Sequence, residues 1–155
     1  MRAGRPSAAS LALVATLAAL AAGCAGGDDD GRLSREEFIR RADAICADYD
    51  RRLARLGNPA DIAELGELAA RAVPIAREGV AKLHALTPPA ELERDVDRWL
   101  ARNDRNVANI DKLGAAARAN DVRRVQAIAS HSTANERAAD TLAARLGLVA
   151  CAKED

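Results

Sequence analysis

Three cysteines carry the side chains whose chemistry depends most on their surroundings: Cys24, Cys46 and Cys151. A cysteine forms a disulfide, binds a metal or acts as a nucleophile according to its compartment and its neighbours. Cys24 follows an apolar segment near the amino terminus, whereas the other two lie near the two ends of the remaining sequence. The segments around them therefore decide between these roles.

Residues 1–23 have the order of a secretory signal. Arg2 and Arg5 make a basic start, and residues 8–20 form an uncharged apolar run. This run is shorter than the stretch of about 20 apolar residues that a membrane-spanning helix needs. We therefore predict a signal segment that directs the chain out of the cytoplasm.

Residues 21–24, Ala-Ala-Gly-Cys, resemble a bacterial lipobox, in which the cysteine is acylated and becomes the new amino terminus. The departure from that motif is Ala21, where Leu is usual. We predict a lipoprotein signal peptide over residues 1–23 and lipidation of Cys24. An ordinary cleaved signal and an uncleaved anchor helix are the alternatives.

Residues 24–33 are predicted to be a flexible acidic tether, because residues 25–31 are almost entirely glycine and aspartate. Two acyl chains suffice for stable attachment to a bilayer, and residues 25–31 of the tether span at most about 25 Å when extended. The expected location is the extracytoplasmic face of the cell membrane, with the domain formed by residues 34–155 held close to the bilayer.

Once Cys24 carries lipid, Cys46 and Cys151 remain, and an even pair of cysteines in an exported domain indicates a disulfide. In an ideal bundle, however, the end of the last helix lies near the start of the first. Cys46 is about three turns into the first helix, an offset approaching about 20 Å. The bond therefore requires residues 148–150 to turn back along that helix, or helices of unequal length. The alternative is two unrelated cysteines, with Cys46 a small buried apolar residue.

The motifs of common enzymes are missing from the sequence. It has no glycine-rich phosphate loop, His-Glu-x-x-His, Gly-x-Ser-x-Gly or Cys-x-x-Cys. Neither His84 nor His131 has the glutamate three residues earlier that a di-iron bundle uses. A haem or metal site built on both histidines is the alternative to two ordinary solvated side chains. We predict no enzymatic activity, no cofactor and no metal site.

Asn103 and Asn106 fall on or beside an apolar helix face, in a polar stretch that also contains Asp104 and Asn109. Buried amides can fix the register of packed helices. The functional alternative is a polar pocket or a docking face opposite Pro74. Asn103 and Asn106 are therefore the candidate pocket residues.

Four segments have apolar residues spaced three and four apart, and the composition is dominated by strong helix formers. The predicted helix boundaries are Ser34 with Glu37, Gly57, Asn58-Pro59, Thr87-Pro88-Pro89, Asn120-Asp121 and Gly147. Pro74 lies inside the second helix and is expected to kink or break it. The predicted fold is all-α, an up-down-up-down four-helix bundle.

Charge and aromatic content disfavour several partners. Loss of Arg2 and Arg5 with the signal leaves 21 of the 23 basic residues against 23 acidic ones, a net charge of −2, so nothing indicates nucleic acid. The single phenylalanine, tyrosine and tryptophan (Phe38, Tyr49 and Trp99) are too few for an aromatic platform that stacks sugars or bases. They are expected in the core.

Four segments together resemble small uncharacterised lipoproteins of actinobacteria and their relatives: residues 38–46, 72–75, 86–89 and 146–151. They read Phe-Ile-Arg-Arg-Ala-Asp-Ala-Ile-Cys, Ala-Val-Pro-Ile, Leu-Thr-Pro-Pro and Leu-Gly-Leu-Val-Ala-Cys. The resemblance covers nearly all of the mature domain. It implies an envelope location, a helical bundle and pairing of the first and last cysteines of that domain. It implies no known activity, so no catalytic residue is transferred.

Two functions of different classes are expected from these features. The leading one is a non-enzymatic module that binds another envelope protein or braces an assembly, because the sequence has an anchor and a short tether but no catalytic motif. The alternative is a small-ligand carrier with a pocket between the helices near Pro74 and Asn103. A cavity of roughly several hundred Å³ would favour the carrier. A filled core with an exposed apolar patch would favour the protein partner.

Overall fold

The computed structural model describes residues 31–152. The predicted signal, Cys24 and most of the predicted tether lie outside this range, as do residues 153–155. All regular structure in the described range is helical. It consists of α1 (Arg35–Ala54), α2 (Ile62–His84), a 3₁₀ turn (Ala90–Leu92), α3 (Glu93–Arg118) and α4 (Val122–Leu146). The predicted all-α class is confirmed, and the helices pack together as a bundle.

The start of α1 agrees with the sequence, whereas the start of α2 does not. The Ser34 hydroxyl accepts a hydrogen bond from the Glu37 N–H at 3.3 Å, as the capping pattern predicts. The predicted cap at Asn58 is wrong, because Asp61 caps α2 instead. The Asp61 carboxylate accepts from the Glu64 N–H at 2.8 Å, and the Glu64 carboxylate accepts from the Ala60 N–H at 2.8 Å. This reciprocal pair satisfies two backbone donors, which an Asn58 cap would leave to water.

Gly147 ends α4 as predicted, with a positive φ of 84°. The Gly147 N–H donates to the Ala144 carbonyl at 3.1 Å, and the Leu148 N–H donates to the Ala143 carbonyl at 2.9 Å. These two bonds form a Schellman motif, which reverses the chain at the helix end. Leu148 is fully buried. The turn therefore directs the last described residues back onto the bundle.

α2 continues through Pro74 without interruption, so the predicted break into two pieces does not occur. Pro74 is exposed, whereas its neighbours Ala72, Val73 and Ala76 are buried. The proline ring removes one backbone hydrogen bond on the solvent side, where water can satisfy the freed carbonyl. The buried face holds the helix together across this position.

α2 and α3 approach each other closely because small residues meet at their crossing. A Cβ built on Gly114 would lie 2.7 Å from the Cβ of Ala69, and one on Gly66 would lie 2.9 Å from Cγ of Arg118. Alanine supplies nearly half of the buried apolar residues. At this crossing, close helix packing therefore takes the place of bulky side chains.

The larger buried side chains lie outside this crossing and form one apolar cluster. Phe38 and Trp99 are fully buried in it, as predicted, together with Leu146 and Leu148. Tyr49 differs, since it is only half-buried. Over residues 31–152, no helix combines the length and the apolar character needed to cross a bilayer.

Candidate functional site

The predicted disulfide joins Cys46 to Cys151, with their Cα atoms 5.2 Å apart. Gly147 at the end of α4 lies opposite Ile39, so the tail has to run along α1 to reach Cys46. Asp43 holds the tail on this path, because its carboxylate accepts hydrogen bonds from the N–H groups of Val149 at 3.2 Å and Ala150 at 2.9 Å. The predicted difficulty is thus resolved by the tail turning back along α1.

Beside this disulfide lies a cavity of about 150 Å³ that is lined by all four helices and by the tail. Its apolar lining consists of Ile45, Cys46, Ala76, Gly79, Val80, Leu83, Trp99, Val107, Ile110, Ala139, Ala150 and Cys151. Its polar lining consists of Tyr49, Asp50, Asn103, Asn106, Glu136 and Asp140. An apolar interior with a few polar groups is the usual composition of a small-molecule site.

Both predicted pocket residues line this cavity, so the structure places Asn103 and Asn106 together. The Asn103 amide donates to the Trp99 carbonyl at 3.0 Å, within the same helix. The Asn106 side-chain oxygen accepts from the amide of Asn135 on α4 at 2.6 Å. Asn106 therefore has both expected roles, since it fixes α3 against α4 and contributes to the cavity wall.

Asn135 is the residue that the sequence prediction missed. It is buried, donates to the Arg102 carbonyl at 2.9 Å and accepts from the Arg102 guanidinium at 3.1 Å. Its position gave a signal, because it lies four residues before Ala139 on the apolar face of α4. A buried asparagine with every polar atom paired specifies which faces of α3 and α4 meet.

The cavity lies near Pro74 and Asn103, as predicted, although Pro74 itself is not part of the lining. The α2 residues of the lining lie two to nine residues beyond the proline, from Ala76 to Leu83. Gly79 makes room there for Tyr49, whose Cδ2 is 3.5 Å from the position of a Cβ on that glycine. The absence of a side chain at position 79, rather than the proline, shapes this wall of the cavity.

Tyr49 stands at the polar edge of the cavity, close to the carboxylates of Asp50 and Glu136. Burial, with smaller contributions from these two carboxylates, raises the pKa of Tyr49 to about 12. The neutral phenol is therefore favoured in the folded protein. Within residues 31–152, the charged side chains of the cavity lining are the carboxylates of Asp50, Glu136 and Asp140.

We expect Tyr49 to ionise near pH 12 in the native protein and near pH 10 in the unfolded chain. Because the folded pKa is the higher one, its contribution to stability is complete below pH 10 and is lost as pH rises through 12. Tyr49 is the single tyrosine, so tyrosinate absorbance reports it alone. Glu136→Gln should lower the native midpoint, whereas the exposed control Glu67→Gln should not. A midpoint near 10 in protein that circular dichroism shows to be folded would contradict this assignment.

The two histidines lie on different sides of α3, His84 toward α2 and His131 toward α4. His84 is exposed on α2, with its Nε2 3.2 Å from both carboxylate oxygens of Asp104 on α3. His131 lies on the outer groove between α3 and α4. In residues 31–152, no three histidine, cysteine or acidic side chains are grouped to hold a metal ion. The structure thus gives the bis-histidine alternative no shared cavity.

Comparison of the chain with protein families, curated proteins and solved structures finds no match. The resemblance to small actinobacterial lipoproteins stays a prediction. The cavity beside the disulfide is therefore the feature on which a functional proposal has to rest.

Proposed function

We propose that this protein is a lipid-anchored extracytoplasmic carrier that binds a small ligand in the cavity beside the Cys46–Cys151 disulfide. The observation that carries this proposal is a cavity of about 150 Å³ to which all four helices contribute. An engineered protein cavity of about 150 Å³ with apolar walls binds benzene. The expected ligand therefore has the size of a single ring or a short branched chain.

The location forms the second part of the proposal. The basic start, apolar run and lipobox-like residues 21–24 support lipidation of Cys24 in the cell membrane. A disulfide between Cys46 and Cys151 is consistent with an oxidising compartment. We also propose that the helices run up-down-up-down, that α2 bends at Pro74, and that the protein has no catalytic activity.

The choice of a carrier over a protein-binding module follows from the described surface. Among residues 31–152, the large apolar side chains that are exposed are Val122 and Val149. Val122 begins α4, and Val149 follows its end, so the two lie far apart along the bundle. An apolar docking patch is not formed by these two residues. Binding of another envelope protein stays a prediction. The cavity of about 150 Å³ is smaller than the several hundred Å³ expected for a carrier, so it favours the alternative for a ligand of single-ring size.

The lining also restricts the charge of the ligand. Among residues 31–152, the charged side chains that line the cavity are three carboxylates. The carboxylate of Glu136 at the edge of the cavity would repel an anion, whereas a neutral or cationic group is accommodated. Trp99 and Tyr49 supply aromatic surface that favours an organic cation further. We therefore expect benzylamine to bind more tightly than toluene, and benzoate to bind least.

Filling the cavity should abolish binding. Val107 is part of the lining and is half-buried, so Val107→Phe places a ring where the ligand would lie. The matched control is Val122→Phe, because Val122 is 50% exposed. The fluorescence of Trp99, the single tryptophan, should respond saturably to toluene and benzylamine in the wild type and in the control, but not in Val107→Phe.

Circular dichroism establishes that both variants remain folded in this experiment. Binding that persists unchanged in folded Val107→Phe would place the ligand elsewhere. A wild-type protein that gives no saturable response to toluene or to benzylamine would rule out the proposed carrier function at this cavity. Mass spectrometry of protein from its native membrane tests lipidation of Cys24 separately.

A further inference from the structure

Acidic and basic residues occupy separate stripes along α3. Each stripe recurs every seven residues, which is close to two helical turns and keeps its members on one face. The acidic stripe consists of Asp97, Asp104 and Asp111, and the basic stripe consists of Arg98, Arg105 and Lys112. The acidic stripe faces α2, where Asp104 contacts His84 at 3.2 Å and Asp111 contacts Arg77 at 3.1 Å.

The basic stripe faces α4 and lines a groove on the outer surface of these two helices. We call this the basic groove, and its basic side chains are Arg98, Arg102, Arg105, Lys112, His131 and Arg145. In the part of the chain that the structure describes, no aspartate or glutamate lines it. Arg98 pairs with Asp95 on its own helix, and Arg102 is held by Asn135. The mature chain, with an expected net charge of −2, therefore still has a groove with a basic lining.

The basic groove begins at the end of the bundle where the tether arrives. The Leu33 N–H donates to the Thr87 carbonyl at 2.9 Å, and Arg32 pairs with Glu93 at the start of α3 at 3.2 Å. Arg98 is five residues further along α3. With Cys24 in the bilayer, residues 24–31 span at most about 25 Å. The groove is thus held within reach of the lipid headgroups.

We propose that the basic groove lies against the anionic surface of the membrane in which Cys24 is anchored, so that the bundle rests on its side. This inference rests on the proposed anchoring. Each basic residue beside an anionic surface strengthens attachment about fivefold, and the effect decays over roughly 10 Å, so close contact is required. An upright bundle would instead hold Lys112, 14 residues beyond Arg98, roughly 20 Å further from the bilayer than Arg98.

The chain contains its own probe for this contact. Lys112 lies in the basic groove, whereas Lys82 lies on α2 and pairs with Glu78 at 2.6 Å. Both lysines are exposed. We expect the rate at which an amine-reactive reagent modifies Lys112 in the anchored protein to fall at least about threefold when phosphatidylglycerol replaces phosphatidylcholine in nanodiscs. The rate at Lys82 should not change, and high salt should restore the rate at Lys112.

Two triple variants test the cause of the protection. The groove variant combines Arg98→Gln, Arg105→Gln and Arg145→Gln. The control combines Arg55→Gln, Arg71→Gln and Arg77→Gln, which removes equal charge from exposed sites on the α1 and α2 side. Protection of Lys112 should disappear in the groove variant and persist in the control, with both shown to be folded by circular dichroism.

Equal rates at Lys112 in the two kinds of nanodisc would overturn the proposal. A rate at Lys112 that is equally low in both lipids, compared with the rate at Lys82, would assign the groove to another occupant, such as the acidic run at residues 28–30. That result would also overturn the proposal. The intact mass of the protein reports acylation of Cys24. If Cys24 is not acylated, the same protein is mixed with the discs, and lipid-dependent protection of Lys112 then supports the groove while the anchor fails.

Discussion

Removal of the Cys46–Cys151 disulfide is expected to lower the free energy of unfolding by about 4–5 kcal/mol, the largest single effect in this domain. The two cysteines are separated by 105 residues, so the cross-link closes a loop of nearly the whole bundle. In the chain-entropy description, the bond acts mainly by restricting the unfolded chain. Typical domains have about 5–15 kcal/mol of stability, so this loss is a large share.

The measurement is urea unfolding of the mature chain with and without a reductant. Cys24→Ser removes the third cysteine and prevents exchange with it. Cys46→Ser/Cys151→Ser provides the same comparison without reductant. In thermal unfolding of the same samples, we expect the melting temperature to fall by roughly 15–25 °C for a domain of this size. The cavity should remain below the transition, because Asp43 and buried Leu148 also hold the tail.

Two outcomes would contradict this account. Superimposable unfolding curves, with thiol titration showing two free thiols in the reduced sample, would mean that the bond contributes nothing to stability. A reduced chain that loses its helical circular dichroism altogether would mean that the bond is required for the fold rather than supporting it. The expected result lies between these, a folded but weakened bundle.

Substitution of two helical glycines by alanine should have effects of opposite sign. Gly114→Ala places a Cβ 2.7 Å from the Cβ of Ala69, and neither atom can swing away because each is attached to a helix backbone. Overpacking of this kind costs about 1–3 kcal/mol, while alanine returns up to about 1 kcal/mol of helix propensity. We expect a net loss of about 1–2 kcal/mol.

Gly79→Ala is the matched control, since its Cβ would lie at an ordinary contact distance of 3.5 Å from Tyr49 Cδ2. Alanine there should stabilise the protein by about 0.5–1 kcal/mol through its higher helix propensity. Chemical denaturation of both variants gives a difference of about 2–3 kcal/mol if the packing at the α2–α3 crossing is as described. Equal stabilisation by both substitutions would show that the two helices lie further apart.

Local interactions made several features readable from the sequence. Ser34 with Glu37, and Gly147 at a helix end, act through neighbours within four or five residues, so their patterns identified a start and a stop of a helix. The start of α2 was misplaced because Pro59 and Asp61 are both good initiators, and the contact between Asp61 and Glu64 decided between them.

The candidate site was predicted in part. Asn103 and Asn106 were identified because polar residues interrupt an apolar stripe, and both line the cavity. Tyr49 and Gly79 came to line the cavity, and Asn135 came to contact Asn106, through the rotation of α1, α2 and α4 about their axes. The packing of whole helix faces sets this rotation. The apolar stripe of a single helix specifies the rotation only to within about one residue.

The amino-acid sequence was sufficient to establish the helical class, several helix ends and the candidate disulfide pair of Cys46 and Cys151. Those features depend on composition, local capping and counting. Helix packing, by contrast, places the tail along α1 with Asp43 as its acceptor, the carboxylates at the cavity, and the basic residues in the groove between α3 and α4. The physical reason is that the charge of a surface depends on which helix faces are turned together, and balanced totals of acidic and basic residues contain no record of that arrangement.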